Sequence, residues 1–454
     1  MQMKKTIIGS AIALTLAASS ALAGVSATDA ARLGKDLTPM GAETKGNGGD
    51  IPAWTGGINP PAGFKQGMKH IDPFAGDKVK FTITAQNYEQ YKANLTDGQI
   101  ALFNKYPATY RMPVYQTHRS AKYPDLVYNE TKKNATDTDL VEGGNGMSNY
   151  EIGVPFPVPA TGLEVIWNHI VRYRGGSVAR VVGQATPQAD GTYTMVRFRD
   201  EFTFKDQLTD YDEATMKDNN ILFYFKQEVI SPARLAGNVL LVHETLNQVK
   251  EPRKAWIYNA GQRRVRRAPQ VAYDGPGTAS DGLRTSDNFD MYNGSPDRYD
   301  WKLVGKKEIY MPYNSYKLNG GDVKYDEIIQ AGHINQDLTR YEKHRVWKVE
   351  ATLKEGQRHI YAKRTFYIDE DTWQATEVDH YDGRGQLWRV AEAHNIFFYD
   401  RVVPWYAIET LYDLQSGRYL ALGLDNEEDG AYKFGFERSS KQYTPGALRR
   451  AGRR

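Results

Sequence analysis

Four arginines in a five-residue stretch, Arg263, Arg264, Arg266 and Arg267, form a compact basic set. A guanidinium fork matches phosphate and carboxylate oxygens, so this set could hold a lipid headgroup or an acidic partner surface. The same string also suits an edge strand whose charges face water and deter pairing with another chain. Two acidic runs, Asp369-Glu370-Asp371 and Asp425-Asn426-Glu427-Glu428-Asp429, offer oxygen ligands for calcium. Neither has the spaced ligands of an EF-hand loop, and the first falls where a hairpin turn is needed. Nine histidines are scattered; His333, His344, His359, His380 and His394 share no metal-ligand spacing. No nucleophile elbow, phosphate loop or dinucleotide fingerprint occurs, and without cysteine there is no thiolate nucleophile. The residues therefore predict no cofactor, no metal and no catalytic set. An acid pair of the glycosidase kind is the remaining catalytic option. Seven aromatics, Trp256, Trp301, Trp347, Phe366, Trp388, Phe398 and Trp405, fall on predicted strands. They either line a cavity for an apolar ligand or fill an ordinary core.

The elements that would position these groups are mainly strands. From about 177 onward the texture is β, with strands predicted at 178–185, 192–204, 221–230, 239–249, 254–260 and 263–272. Further ones follow at 301–311, 344–353, 358–368, 373–381, 386–398, 405–413 and 418–424. Short turn signals separate many of them, for example Glu355-Gly356 and Asp382-Gly383-Arg384-Gly385, so neighbours should be antiparallel. Alternation is readable: Phe366 and Ile368 share a face opposite Tyr367, and Leu240 and Val242 oppose Leu241 and His243. A helix is predicted from Thr161 to about 174, opened by the capping box Thr161/Glu164, with Leu163, Ile166, Ile170 and Tyr173 on one face. Many strands and one strong core helix predict a mainly β (α+β) protein, a large curved antiparallel sheet wrapped as a half-open β-barrel over a few helices.

Four segments are expected: a signal peptide (1–23), an extended arm (24–75), one half-barrel domain with helical insertions (76–424) and a polar tail (425–454). Lys4 and Lys5, the apolar run from Ile7 to Leu16, and Ala21-Leu22-Ala23 before Gly24 make the three parts of a cleavable leader. The arm is rich in Gly and Pro, with Trp54 as its expected anchor; 129–150 reads as an exposed loop. A cysteine-free body behind such a leader, with no apolar run long enough to span a bilayer, predicts a water-soluble, unlipidated periplasmic protein, at most peripheral to membranes. The formal charge of +3, or +1 without Lys4 and Lys5, gives no field to gather nucleic acid.

Particular strings add a family resemblance. Leu33-Gly34, Leu37-Thr38-Pro39, Gly41-Ala42 and Ile51-Pro52-Ala53-Trp54-Thr55-Gly56-Gly57 lie near the start. Later come Arg253-Lys254-Ala255-Trp256-Ile257-Tyr258, the arginine set through Pro269, Tyr367-Ile368-Asp369, and Leu387-Trp388-Arg389. Together they resemble the bacterial family catalogued as domain of unknown function 1329, often labelled outer-membrane lipoprotein-sorting protein. That resemblance implies a fold similar to the lipoprotein carriers LolA and LolB, an incomplete barrel whose concave side holds acyl chains. It also implies partners: an RND-type exporter, an outer-membrane β-barrel protein, and a lipid or other hydrophobic cargo. No catalytic residues come with it. The function expected is therefore a non-enzymatic carrier or bridging protein. The alternatives are a scaffold of an envelope complex and, less favoured, an envelope hydrolase.

Overall fold

The computed structural model describes residues 24–451 apart from 213, 215–218, 270 and 431. The expected leader, residues 1–23, lies outside the described residues. Two short strands come first, β1 (Phe81–Thr84) and β2 (Arg111–Val114), then a small hairpin of β3 (Asp139–Val141) and β4 (Gly146–Ser148). The main run opens with β5 (Ser177–Ala185), β6 (Met195–Phe204), β7 (Ile221–Ser231), β8 (Val239–Thr245), β9 (Lys254–Asn259) and β10 (Arg264–Arg267). After a crossing segment come β11 (Tyr299–Pro312), β12 (Tyr341–Leu353), β13 (Lys363–Asp369) and β14 (Ala375–Tyr381). The series ends with β15 (Leu387–Phe398), β16 (Val403–Asp413), β17 (Tyr419–Leu424) and β18 (Tyr432–Phe434).

Strands β11 to β17 pair in sequence order, β17 then pairs β5, and β5 to β10 continue in order. All these pairings are antiparallel, as the short turns between most neighbours require. Strands β10 and β11, at the two ends of this path, do not pair with each other, so the barrel stays open. The expected half-open, mainly β architecture is the one found.

The helices are α1 (Ala27–Ala30), α2 (Asp97–Lys105), α3 (Asp125–Asp137), α4 (Gly162–Val171), α5 (Tyr325–Ile328) and α6 (Pro445–Ala451). Helix α4 starts where the capping box predicts: the Glu164 amide donates to Thr161 Oγ1 at 3.2 Å, and Glu164 Oε2 accepts from the Thr161 amide at 3.3 Å. It packs on the inner face of the sheet, against β11 and β12. Strand alternation sends Phe366, Ile368 and Val242 to this face and Tyr367 and Leu241 to the other. Helix α2 covers the outer face over β14 and β15, so the sheet is dry on both sides there.

Three expectations need correction. Helix α3, residues 125–137, runs into the stretch 129–150 read as an exposed loop; its inward positions Val127, Thr131, Asn134 and Ala135 have helical spacing, but two are polar and mute the pattern. The strand expected at 358–368 starts only at Lys363, leaving Ile360 exposed. The arm is packed, burying Leu33, Leu37, Met40 and Ile51. Trp54 does tether it, donating to the Ala121 carbonyl at 3.0 Å, and Gly41 passes so close to Pro157 that a Cβ would sit 1.9 Å from its carbonyl oxygen. Finally, the closing segment is no loose tail. Strand β18 pairs with β5, the Tyr443 ring stacks on Tyr224 at 5.0 Å, and Leu448 of α6 is buried on the outer face of β7 to β9.

Candidate functional site

Residues 271–298, between β10 and β11, cross the inner face as a strap. Backbone carbonyls fasten it: Gln184 Nε2 of β5 donates to Ala279 at 2.7 Å, and Arg389 Nη1 of β15 donates to Leu283 at 3.1 Å. His169 of α4 holds its middle, with Nε2 donating to the Asp290 carbonyl at 3.0 Å and Nδ1 accepting from the Ala375 amide at 3.0 Å. Burial, reinforced by Arg172, pushes this imidazole down to about 3, so it is neutral and acts as a fixed two-ended clip.

Below the strap the inner face carries a buried set of charges. Asp290 accepts from Arg172 at 2.5 Å and from Arg174 Nε at 2.7 Å. Burial opposes its ionisation, yet the two guanidiniums hold its carboxyl well below the usual range. On the sheet, Arg180 of β5 pairs with Asp200 of β6 at 3.1 Å and donates to Tyr406 at 2.9 Å. Glu409 of β16 has no partner for either carboxylate oxygen; burial, with Asp290 nearby, pushes it up to about 8.

Between the strap and β7 to β9 lies a cavity of about 60 Å³. Its apolar lining includes Phe223, Phe225, Val242 and Phe289, and Arg253 and Arg284 line it too. A smaller void of about 10 Å³ adjoins it past Phe225 and Phe289, bounded by Arg174, Arg180 and Trp405. Elsewhere α4 and the strap fill the inner face with Ile166, Trp167, Met291 and Tyr292.

The predicted aromatics divide. Trp301, Trp347, Phe366, Phe398 and Trp405 all join the inner core, but only Trp405 borders the small void. Trp347 stacks on Trp373 with ring centres 6.2 Å apart, and Trp301 packs against Tyr292 and Phe366. Phe398 lines a separate cleft with His70. Trp388 sits where Nε1 donates to Asp413 at 3.0 Å. Trp256 points to the opposite face, beside His243 in the cluster under α6, because it neighbours the inward Ala255 on β9. The residues that wall the cavity escaped the sequence reading, although Phe223 and Phe225 stand at the two-residue spacing of one strand face.

Three of the four arginines, Arg264, Arg266 and Arg267, lie exposed on β10, an edge strand that among the described residues pairs only with β9, while Arg263 sits at positive φ in the turn before it. The Asp369-Glu370-Asp371 run turns from β13 to β14 and is consumed by cations: Arg119 grips Asp371 at 2.6 and 2.9 Å, and Lys306 meets Glu370 at 2.7 Å. His344, Asp369 and Asp371 bring ligand-type atoms within 4.8 Å of one another, but the Arg119 fork already occupies Asp371. On the outer face, Glu377 of β14 and Glu392 of β15 stand directly opposite each other. Thr96 and Gln99 of α2 bond to Glu377, while Tyr110 and Tyr341 donate to one oxygen of Glu392 at 3.3 and 3.1 Å. Among the described residues no helix is long and apolar enough to cross a membrane.

A protein of Pseudomonas aeruginosa described as uncharacterized is 66% identical over 443 residues, covering 97% of both chains. A DUF1329 family protein of known structure from Desulfovibrio piger is 14% identical, covering 61% of this chain and 92% of its own, with a TM-score of 0.41. A LolA superfamily protein from Nitrosomonas europaea is 12% identical, covering 63% of this chain and 98% of its own, with a TM-score of 0.37. The family described as protein of unknown function (DUF1329) matches residues 82–449, from the first strand to the last helix, and the chain belongs to it.

Proposed function

We propose that this protein binds a lipid or other hydrophobic molecule against the inner face of its open half-barrel and carries it within the periplasm, without catalysing a reaction. The observation that carries this reading is the cavity beneath the strap, where Phe223, Phe225 and Val242 of the inner face meet open space. Burial of each methylene there would contribute about 0.8 kcal/mol, so even a few carbons favour binding. At about 60 Å³ the cavity takes one end of a ligand, and a full acyl chain requires the strap to lift. An RND-type exporter on one side and an outer-membrane β-barrel protein on the other are the partners this reading assigns. Native protein purified from the periplasm, extracted and analysed by mass spectrometry, should yield a stoichiometric apolar molecule. Recovery of none, together with failure to bind the neutral dye Nile red, would remove the carrier role.

A second reading, a scaffold that grips an envelope complex, draws on a different observation. Most of the inner face is filled by the protein's own side chains, while β10 presents Arg264, Arg266 and Arg267 on an open edge. Helix α6, carrying Arg449 and Arg450, packs beside it. Such an edge suits an acidic partner surface. Co-purification with a transporter, lost on changing these arginines to glutamine and with no bound ligand, would favour it.

A further inference from the structure

Arg284 is the unusual member of the inner-face charges. It is buried, its Nε has no hydrogen-bond partner, and no carboxylate lies within 4 Å of its guanidinium among the described residues. An unpaired buried cation is costly, and two other strap residues lie against this one. Gly277 lies so close that a Cβ would sit 3.0 Å from three atoms of the Arg284 side chain, and the Phe289 ring centre is 5.8 Å away. The planar fork is thus oriented before any ligand arrives.

The surroundings do not neutralise it. Four guanidiniums, Arg172, Arg174, Arg180 and Arg284, share the neighbourhood with three carboxylates, Asp290, Asp200 and Glu409. Asp290 is bonded to two of the arginines and Asp200 to a third, and unbonded Glu409 favours its neutral form. Positive charge is left over beside the cavity that Arg284 lines. Arg253, also in the lining, is spent on Glu244 at 2.8 Å. The same cavity has Phe225, Val242, Val271 and Phe289 in its wall.

Resting on the carrier reading above, we propose that Arg284 receives the acidic group of an amphiphile, a carboxylate or phosphate at the end of a hydrocarbon chain, in the cavity beneath the strap. The acid enters head first and pairs with the fork, the first carbons lie on Phe225 and Val242, and the rest of the chain follows the inner face as the strap lifts. Guanidinium and acid then compensate each other's desolvation, which a neutral ligand cannot do.

The test is displacement of Nile red by hexadecanoate, hexadecyl phosphate and hexadecanol from the full-length mature protein and from Arg284→Gln, Arg284→Met and Arg284→Lys. The unchanged protein should prefer at least one acid over the alcohol by about tenfold or more. A preference confined to one acid identifies the source of the group. Arg284→Gln and Arg284→Met should bind the acids no better than the alcohol, and Arg284→Lys should keep part of the preference. Without ligand, Arg284→Met should melt no lower than the parent, because it removes an unpaired buried charge; an arginine with a purely structural role would give a lower melting temperature. Equal binding of acid and alcohol by the parent, or an acid preference that survives in Arg284→Met, overturns the proposal alone. If the dye and all three amphiphiles fail to bind, the carrier reading falls and takes this assignment with it.

Discussion

Replacing Glu392 with glutamine should flatten the dependence of stability on pH. Glu392 is fully buried, faces Glu377 across β14 and β15, and has one oxygen without a partner. Its unpartnered oxygen lies 3.9 Å from His394, which burial pushes down to about 3 and so keeps neutral. With no cation beside it, burial pushes the Glu392 carboxyl up from 4.5 to about 7. The folded state therefore holds a proton that the unfolded chain releases between these values. Stability from this group is complete below about 4.5 and is lost as pH rises toward 7. At about 1.36 kcal/mol per pH unit over that interval, the loss is about 3.4 kcal/mol. Glutamine can still accept the Tyr110 and Tyr341 hydroxyls, and it has nothing to ionise. Urea unfolding of parent and Glu392→Gln at pH 5 and pH 8 measures the difference. The variant should gain about 2–3 kcal/mol relative to the parent between the two conditions, and Glu377, freed of a like neighbour, should contribute in the same direction. Parallel pH curves for the two proteins would refute the reasoning. So would a variant several kcal/mol weaker than the parent at pH 8, which would mean that Glu392 is ionised and paired with a charged His394.

Two further outcomes follow from the buried pairs and the closing helix. Asp290→Asn leaves Arg172 and Arg174 facing each other without an anion, and should cost roughly 3–5 kcal/mol in chemical denaturation. Because the strap is fixed through the same residue, protease cleavage within 271–298 should also quicken. Leu448→Asp should undock α6 from β8, β9 and β10 with little change in the main unfolding transition, since burial of one leucine contributes only about 1.5–3 kcal/mol. Trp256, half-buried beneath that helix, should then emit at longer wavelength; an unshifted spectrum with unchanged trypsin sensitivity at Arg449 would show that the helix stays docked.

The candidate site was legible only in pieces. Alternation pairs Phe366 with Ile368 on one strand and Leu240 with Val242 on another, and the structure turns both sets to the inner face. For the seven aromatics, residue type and strand position leave cavity wall and core filling equally open; most of those on the inner face are core, because a large ring there meets α4 or the strap. Trp256 failed for a simpler reason: its parity on β9 sends it outward. Arg284 gave no signal, since it lies in an irregular segment whose course over the sheet depends on contacts with His169, Gln184 and Arg389, far away in the chain.

The sequence by itself determined the strands of the main run, their antiparallel order across short turns, the start of α4 and the open, mainly β architecture, because these depend on local periodicity, turn residues and caps. Tertiary structure alone decided which part of the inner face is filled and which is hollow. It also brought four arginines from α4, β5 and the strap around three carboxylates, and it folded the closing segment onto the outer face. Those outcomes are long-range: each depends on the packing and desolvation of groups tens to hundreds of residues apart, and no local pattern encodes that energy.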